Sequence, residues 1–290
     1  MLDRVSTLVK SSALVDADGP SDPFLRSVPD SYEVNWSESL EQLHEESSRT
    51  HFIEVWTRRA MLSYLGPMRA EPTIVDVGCS TGHLLSDLSA CMPDATLIGV
   101  DLVAGGLRNA HRQVPDALLL QADVCALPLE DACVDYALSA NLLEHVPDDQ
   151  RALAELARIL RPGGRAVIVV PVNPGSYDCY DRLLGHERRY ARGELARKAR
   201  SAGFDVVHDL HLGAPLFPAF WLVKQRNRMC HEDLRGDALE EKVKQDIERT
   251  GNSGLGHLAC NLEERLLRLG VRLPFGIRGL TVLERPRVRP

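Results

Sequence analysis

The sequence lacks the features of a disulfide-bonded, zinc-binding or membrane-spanning chain. Its seven cysteines are scattered and odd in number, and they contain no C-x-x-C pair, which favours reduced thiols over a disulfide framework or a zinc site. No stretch approaches the roughly 18 apolar residues that a membrane helix needs, and the first residues lack the apolar core of a signal peptide. We therefore predict a cytoplasmic protein without a membrane span.

The sequence also has fewer basic than acidic residues. The 290 residues hold 34 lysines and arginines against 41 acidic residues, which gives a net charge of −7. Broad nucleic-acid binding needs a basic surface, so the composition predicts no nucleic-acid partner. The length is sufficient to bury a large core and exceeds that of one average domain.

Short apolar runs alternate with helical patterns through most of the chain. Runs that are apolar on both faces and separated by helices indicate a parallel sheet covered on both sides. We predict helices over 37–48, 50–65, 81–91, 104–113, 148–160 and 192–202. The predicted strands are TIVDV, TLIGVDL, ALLLQADV, CVDYALSA, RAVIVVPV, FDVVHDLHL and, after a long interruption, GLTVLERP.

The alternation stops after residue 211. The next 66 or so residues, to about 277, are too many for a connection in a compact sheet, and their patterns are helical, so we predict an insertion packed over one end of the sheet. The predicted organisation is an N-terminal arm with helices (1–70), a core (71–211), a helical cap (212–277), and a last strand with a tail (278–290).

The turn VDVGCSTGHLL, residues 75 to 85, is the first candidate binding site. Gly78 and Gly82 bracket a strand-to-helix turn in which Thr81 is the expected N-cap. Exposed backbone N–H groups in such a turn can bind an anionic or polar ligand. The alternative is a glycine turn that binds nothing.

The composition of this turn separates two kinds of cofactor. A nicotinamide site favours G-x-G-x-x-G, whereas Ser80 occupies the middle position here, and Asp76 just before the loop would repel a pyrophosphate. S-adenosylmethionine is cationic at sulfur, carries an ammonium group and has no phosphates. The turn therefore suits S-adenosylmethionine better than a dinucleotide.

Aspartates end three successive predicted strands. Asp101 is placed to accept hydrogen bonds from both ribose hydroxyls of an adenosine cofactor, and Asp123 could accept from the adenine amino group, with the N–H of Val124 at a ring nitrogen. Each aspartate alone could equally cap a loop or a helix. Their recurrence at one sheet edge, together with Asp76, favours a ligand site.

Four ordered segments, VDVGCSTG, GVDL, ADV with LPLEDACVDYALSANLLEHV, and LRPGGRAVIVV, resemble the motifs of class I S-adenosylmethionine-dependent methyltransferases. The resemblance covers about residues 70–172 and is closest to the type-11 group that modifies small molecules. GHERRYARGEL and AGFDVV resemble a downstream stretch of many such enzymes. Ser80 stands where many family members have glycine. The resemblance implies a Rossmann-like, seven-stranded α/β sheet whose last strand is antiparallel.

The resemblance also implies roles for single residues. The turn would contact the methionine moiety, Asp101 the ribose, and Asp123 with Val124 the adenine. Ala140 and Asn141 would lie beside the sulfonium. The predicted cofactor residues are Asp76, Gly78, Cys79, Ser80, Gly82, Asp101, Leu102, Asp123, Val124, Ala140 and Asn141.

His145, in NLLEHV after the fourth predicted strand, is the candidate general base. An oxygen or nitrogen acceptor benefits from losing a proton during methyl transfer, and the ordinary pKa of histidine suits that task near neutral pH. The alternative is a histidine that only caps the loop or lines the pocket. Its neighbour Glu144 could orient the cofactor or the helix, or face solvent.

The predicted substrate residues are His186, Arg189 and Tyr190, before the helix that follows the fifth strand, and Trp221 in the insertion. Arginines there would suit a carboxylate or phosphate of the acceptor, although surface ion pairs and a packed tyrosine explain the segment equally well. Trp221 is consistent with an apolar or aromatic acceptor.

No metal site is predicted. His208 and His211 are three residues apart on a predicted strand, and an imidazole pair without an acidic partner is a weak ligand set.

The predicted function is S-adenosylmethionine-dependent methylation of a small molecule, with O- or N-methylation favoured, as in natural-product or saccharide biosynthesis. The insertion would form a lid and could support a homodimer. One alternative is a protein that binds the cofactor in a cyclase or regulatory role, because fold does not settle chemistry. A nicotinamide oxidoreductase is a further, disfavoured alternative.

Overall fold

One eight-stranded sheet organises the part of the chain that the computed structural model describes, namely residues 7–10, 12, 24–28, 51–231, 235–251 and 253–287. Its strands are β1 (Leu25–Arg26), β2 (Thr73–Val77), β3 (Thr96–Asp101), β4 (Leu118–Gln121), β5 (Val134–Ala140), β6 (Leu160–Pro171), β7 (Asp205–Leu212) and β8 (Arg278–Glu284). The helices are α1 (Phe52–Ser63), α2 (His83–Cys91), α3 (Ala104–Gln113), α4 (Asp149–Ile159), α5 (Cys179–Leu183), α6 (Glu194–Ser201), α7 (Phe217–Cys230), α8 (Asp237–Gly251) and α9 (Gly254–Arg268).

The strand order across the sheet is β1-β4-β3-β2-β5-β6-β8-β7. Strands β2 to β6 pair in parallel, whereas β8 lies between β6 and β7 and is antiparallel to both. The predicted α/β fold with an antiparallel last strand is therefore confirmed. The sheet also gains a short edge strand, β1, where the sequence predicted a loose arm.

The described pieces of the N-terminal arm pack on the core. Leu25 in β1 pairs in parallel with Leu120 in β4, and Val9 forms an isolated bridge with Leu129. Leu8 and Val9 are buried. The predicted helix over 37–48 lies outside the described residues.

Apolar residues cover both faces of the sheet, as predicted from strands that are apolar on both faces. In β2, Val75 and Val77 join the core shared with α4 and α6, whereas Ile74 joins the core shared with α1, α2 and α3. This alternation follows from the period of two along a strand. Asp76 is two residues after Ile74, so its side chain lies on the same face of the sheet, towards α1 and α2.

Helix α2 begins two residues later than predicted. Gly82, and not Thr81, is the N-cap, with φ at 85° in the left-handed region. A Cβ atom at residue 82 would come within 2.8 Å of the Cβ of Ala110 in α3. The close approach of α3 and the positive φ therefore both require glycine at this position.

Helices α7, α8 and α9 fill the sequence between β7 and β8. Leu239 and Val243 of α8 form a small core with Cys179 of α5, so the charged run over 232–249 also has a buried stripe. Helix α9 packs against α1, where a Cβ at Gly256 would come within 2.5 Å of the ring of Phe52. None of the described helices is long and apolar enough to cross a membrane.

Candidate active site

A cavity of about 600 Å³ opens at the carboxyl ends of the parallel strands. It is bordered by the segments that follow β2, β3, β4 and β5, and it is covered by residues of α5 and α7. Strand β2 has β3 on one side and β5 on the other, so the direction in which successive strands are added to the sheet reverses at β2. Open α/β sheets bind ligands at such a reversal of strand order.

The glycine turn after β2 forms one wall of the cavity. The N–H groups of Gly78 and Cys79 both donate to the carbonyl of Val100, over 2.8 and 3.0 Å. Gly78 and Ser80 line the cavity and have positive φ angles of 80° and 43°. Of the other predicted turn residues, Cys79 is buried and Gly82 packs under α3, and neither lines the cavity.

The carboxylates of Asp101 and Asp123 line the same cavity and also fix the loops that follow their strands. Asp101 accepts from the N–H of Ser80 over 2.8 Å and from that of Val103 over 2.9 Å. Asp123 accepts from the N–H of Cys125 over 2.8 Å. Both carboxylates therefore stabilise the loops that border the cavity.

Asp76 lies in the interior of the sheet, next to the cavity but not in its wall. Its side chain is buried, with 2% of the residue exposed. Burial raises the pKa of Asp76 to about 8, the charge of Asp101 adds to the rise, and the charge of Arg58 opposes it. Arg58 itself pairs with Asp87 of α2 over 2.6 Å.

Glu144, His145 and His186 form a cluster, and all three line the same cavity. The rings of His145 and His186 meet edge-on with centroids 4.7 Å apart. Glu144 is only 1% exposed, and within the described chain neither of its carboxylate oxygens has a hydrogen-bond partner. Burial raises the pKa of Glu144 to about 7, although the charge of His186 opposes the rise.

Asp181 of α5 connects this cluster to the helices above it. Its Oδ1 atom lies 2.8 Å from Nδ1 of His186 and accepts from Nε of Arg189 over 2.8 Å. Its Oδ2 atom accepts from Nζ of Lys224 in α7 over 3.2 Å. Burial alone would raise the pKa of Asp181, but these partners outweigh it and hold the pKa well below its usual value.

Comparison with known proteins identifies the family. Residues 75–168 match the type-11 family model, which is described as "Methyltransferase domain". The ubiquinone/menaquinone biosynthesis C-methyltransferase UbiE of Syntrophotalea carbinolica is 38% identical over 168 residues, which cover 48% of this chain and 71% of that protein. The chain belongs to the class I S-adenosylmethionine-dependent methyltransferases.

Other relatives agree with this assignment. The trans-aconitate 2-methyltransferase of Azoarcus sp. is 34% identical over 155 residues, 53% of this methyltransferase and 55% of the relative. The chain spans about half the length of most curated relatives it matches. Phosphoethanolamine N-methyltransferase 2 of Haemonchus contortus, in complex with S-adenosyl-L-methionine, superposes with a TM-score of 0.58 at 18% identity, over 88% of this chain and 59% of that chain. This last likeness shows the fold. The predicted family, fold class and methyl donor are confirmed.

The methyltransferase brings most of the predicted cofactor residues together around one cavity. Those that line it are Gly78, Ser80, Asp101, Leu102, Asp123, Val124, Ala140 and Asn141.

The predicted substrate residues divide into two groups. His186 and Arg189 line the cavity, whereas Tyr190 and Trp221 do not. In helix α7 the side chains that line the cavity are Phe220 and Lys224, which are four residues apart and so lie on one face. Trp221 lies about 100° further around the helix. Its side chain is therefore directed away from the cavity, and the residue is 46% exposed.

Tyr190 is part of the core. It is almost fully buried, and its hydroxyl donates to Oδ2 of Asp149 over 2.7 Å, with the carbonyl of Leu143 at 3.2 Å. Asp149 also accepts from Nζ of Lys198 over 2.7 Å. The hydroxyl of Tyr190 therefore belongs to a buried hydrogen-bond network on the side of the sheet covered by α4 and α6.

Sequence reasoning missed several residues in the cavity wall. Arg278, at the start of β8, pairs with the carboxylate of Glu54 in α1 and donates to the hydroxyl of Thr57 over 2.8 Å. Lys224 donates to Asp178 over 2.7 Å. The first pair spans 224 residues, and only the fold brings such positions together.

Proposed function

We propose that this methyltransferase transfers the methyl group of S-adenosylmethionine to an oxygen or nitrogen atom of a small molecule held in the cavity. The observation that carries the proposal is that the glycine turn, Asp101 and Asp123 line the same cavity as the Glu144–His145–His186 cluster. A cofactor held by the first group would direct its methyl group to an acceptor held by the second, and we call these two parts of the cavity the cofactor end and the acceptor end.

We assign the residues of the cofactor end from the family pattern, from which Ser80 departs. The turn from Gly78 to Gly82 would hold the methionine moiety, with the Ser80 backbone facing the cavity. Asp101 would accept hydrogen bonds from the ribose hydroxyls, and Asp123 from the adenine amino group. The N–H of Val124 would reach a ring nitrogen. Carboxylates and backbone donors at strand ends are the usual partners of an adenosine group in this type of sheet.

The acceptor end combines apolar and charged side chains. Tyr180 and Phe220 give it aromatic surface, and Arg189 and Lys224 line it as well. Both cations are already paired with Asp181 of α5, so they offer hydrogen bonds more than uncompensated charge. An acceptor with an apolar body and a polar reactive group fits this lining.

His145 is our candidate for the group that removes the acceptor proton. Methyl transfer is an in-line displacement: the acceptor atom forms a bond to the methyl carbon, the bond from that carbon to sulfur breaks, and S-adenosylhomocysteine leaves. Positioning does much of this work. The acceptor's proton would go to the imidazole of His145, which lines the cavity just after the carboxyl end of β5.

Cofactor turnover and cofactor binding test the proposal together. The purified chain is incubated with S-adenosylmethionine and a panel of hydroxyl- and amine-bearing small molecules, and S-adenosylhomocysteine is quantified. Calorimetry compares S-adenosylhomocysteine with NAD and NADP as ligands. We expect tight binding of the adenosyl compound and product formation that depends on an acceptor.

Each other outcome points to one alternative. Cofactor binding without product for any acceptor would favour a cyclase or regulatory protein on the same fold. Heat of binding with NAD and none with the adenosyl compounds would contradict the proposed site altogether.

A further inference from the structure

We infer that Glu144, His145 and His186 form a binding site for one divalent transition-metal ion at the acceptor end of the cavity. The inference rests on the proposed function only for what binds beside the ion, because the three ligands come from the chain itself. Nothing in the sequence pattern predicted the site, since Glu144 and His145 are adjacent but His186 lies on another segment.

The three side chains are close enough to share an ion. One ligand atom from each lies within 4.8 Å of the others. Two ligands at about 2.0–2.2 Å from a tetrahedral zinc ion are about 3.4 Å apart, so the ligand atoms need to approach one another by up to about 1.4 Å. The N–H of Glu187 donates to the carbonyl of Glu144 over 2.8 Å, which fixes the two segments against each other.

Glu144 supplies the strongest reason to expect a ligand here. A buried carboxylate normally has hydrogen-bond or ion-pair partners, because leaving it without them is costly. Both oxygens of Glu144 are buried in the cavity wall and have no hydrogen-bond partner among the described residues. A bound cation would provide the missing partner.

Asp181 provides the support that a metal-binding histidine needs. A histidine ligand usually donates its second ring nitrogen to a carboxylate or carbonyl, which fixes the tautomer and the orientation of the ring. Nδ1 of His186 lies 2.8 Å from Oδ1 of Asp181, and the side chains are 9% and 1% exposed. That contact leaves Nε2 of His186 as the nitrogen for the ion.

The charges around the cluster favour a cation. The nearby guanidinium and ammonium groups of Arg189 and Lys224 are paired with Asp181 and Asp178, and that of Arg278 with Glu54. No described cation forms an ion pair with Glu144. The charges of Arg278 and Arg189 act on Glu144, but no described cation is hydrogen-bonded to its oxygens, so a divalent ion would be their first direct partner.

The ligand set indicates the chemical class of the ion. Two imidazoles and one carboxylate suit zinc, iron(II), cobalt(II) or manganese(II), whereas calcium and magnesium favour all-oxygen sites. Three side chains leave at least one coordination position open, and it faces the cavity because all three residues line it. An oxygen atom of the acceptor would bind there. In the ion-loaded protein His145 is then a ligand, and the ion takes over its role by lowering the pKa of the acceptor's hydroxyl group.

Metal titration of the full chain tests the site without cofactor or acceptor. The protein is stripped with a chelator and titrated with Zn²⁺ by calorimetry, and Co²⁺ absorption spectra report the ligands. We expect one ion per chain and a cobalt spectrum without thiolate bands. Glu144→Gln should lower the affinity by about 100-fold or more, since loss of even an outer partner costs 10- to 100-fold.

Glu144→Gln is chosen because it removes a buried charge and keeps the side-chain shape, so the variant should fold. His208→Gln is the matched control, since His208 lies on β7 with its ring edge-on to that of Tyr64, and the substitution should leave the affinity unchanged. The inference is overturned by equal affinities of wild type and Glu144→Gln, by thiolate bands, or by no binding up to about 1 mM. Any of these leaves His145 as the proposed base, while failure to form S-adenosylhomocysteine would overturn the proposed function and leave a measured metal site intact.

Discussion

The backbone N–H of Ser80 donates a 2.8 Å hydrogen bond to Oδ2 of Asp101 and so ties the turn after β2 to the end of β3. The second oxygen of Asp101 accepts from the N–H of Val103. One carboxylate therefore shapes both loops that border the proposed cofactor end of the cavity. Its loss should affect the ligand and the loops together.

Asp101→Ala is expected to weaken binding of S-adenosylhomocysteine by about 10- to 100-fold. Hydrogen bonds to a charged group contribute about 1.5–3 kcal/mol, and 1.4 kcal/mol corresponds to a tenfold change in affinity. Calorimetry measures the effect, with Asp116→Ala, an exposed aspartate in the loop before β4, as the control. Unchanged affinity in Asp101→Ala would refute the ribose assignment.

His145→Ala should lower kcat by about 10²- to 10⁴-fold, the usual contribution of a positioned acid or base, and leave cofactor affinity nearly unchanged. The reason is that His145 lines the acceptor end of the cavity and not the glycine turn. Turnover with a saturating acceptor and calorimetry with S-adenosylhomocysteine separate the two effects. Undiminished turnover would leave methyl transfer to positioning alone.

Asp76 should make the protein less stable as the pH rises. In the unfolded chain its carboxyl group ionises near its ordinary pKa of 3.8, whereas in the folded protein burial raises the pKa to about 8. Between these values the folded state holds a proton that the unfolded state has lost, so rising pH favours unfolding.

Urea unfolding at several pH values from 5 to 8 checks this effect in the wild type and in Asp76→Asn, which does not ionise. The free energy of unfolding of the wild type should fall relative to that of the variant by up to about 1.4 kcal/mol per pH unit. Parallel pH profiles of the two proteins would show that Asp76 is ionised in the folded state.

Tyr190→Phe should decrease the free energy of unfolding by about 1–3 kcal/mol, the cost of a buried hydrogen bond left without its partner. The hydroxyl bonds Asp149 in the core and does not reach the cavity. We therefore expect an unchanged KM for the acceptor. A raised KM with intact stability would instead support the substrate role that the sequence predicts for Tyr190.

The sheet and the cofactor end could be predicted because their signals are local. Strand ends are readable from apolar runs, and parallel strands end at the same edge, so Asp101 and Asp123 were expected to be neighbours. The start of α2 was predicted two residues early because the approach of Ala110 to Gly82 is a tertiary contact. The strand RAVIVVPV was predicted to begin at Arg165, but β6 begins at Leu160, and its pairing with β5 shifts register before Arg165.

The acceptor end could be predicted only in part. His186 and Arg189 were found because their segment follows a strand, whereas Asp181, which orients both, has no distinguishing pattern of its own. Lys224 lies in an insertion without a recognisable motif. The Glu144–His145–His186 cluster depends on two chain segments that meet through a backbone hydrogen bond, and no spacing rule along the sequence encodes that meeting.

The insertion of β8 between β6 and β7 also has a consequence for how the molecule is assembled. Strands β6 and β7 cannot take their final positions on either side of β8 until β8, which is synthesised last of the three, is available. That strand begins with Arg278, whose partner Glu54 lies near the start of the described helices. Such long-range closure slows folding, so during synthesis the cavity should stay incomplete until β8 has left the ribosome.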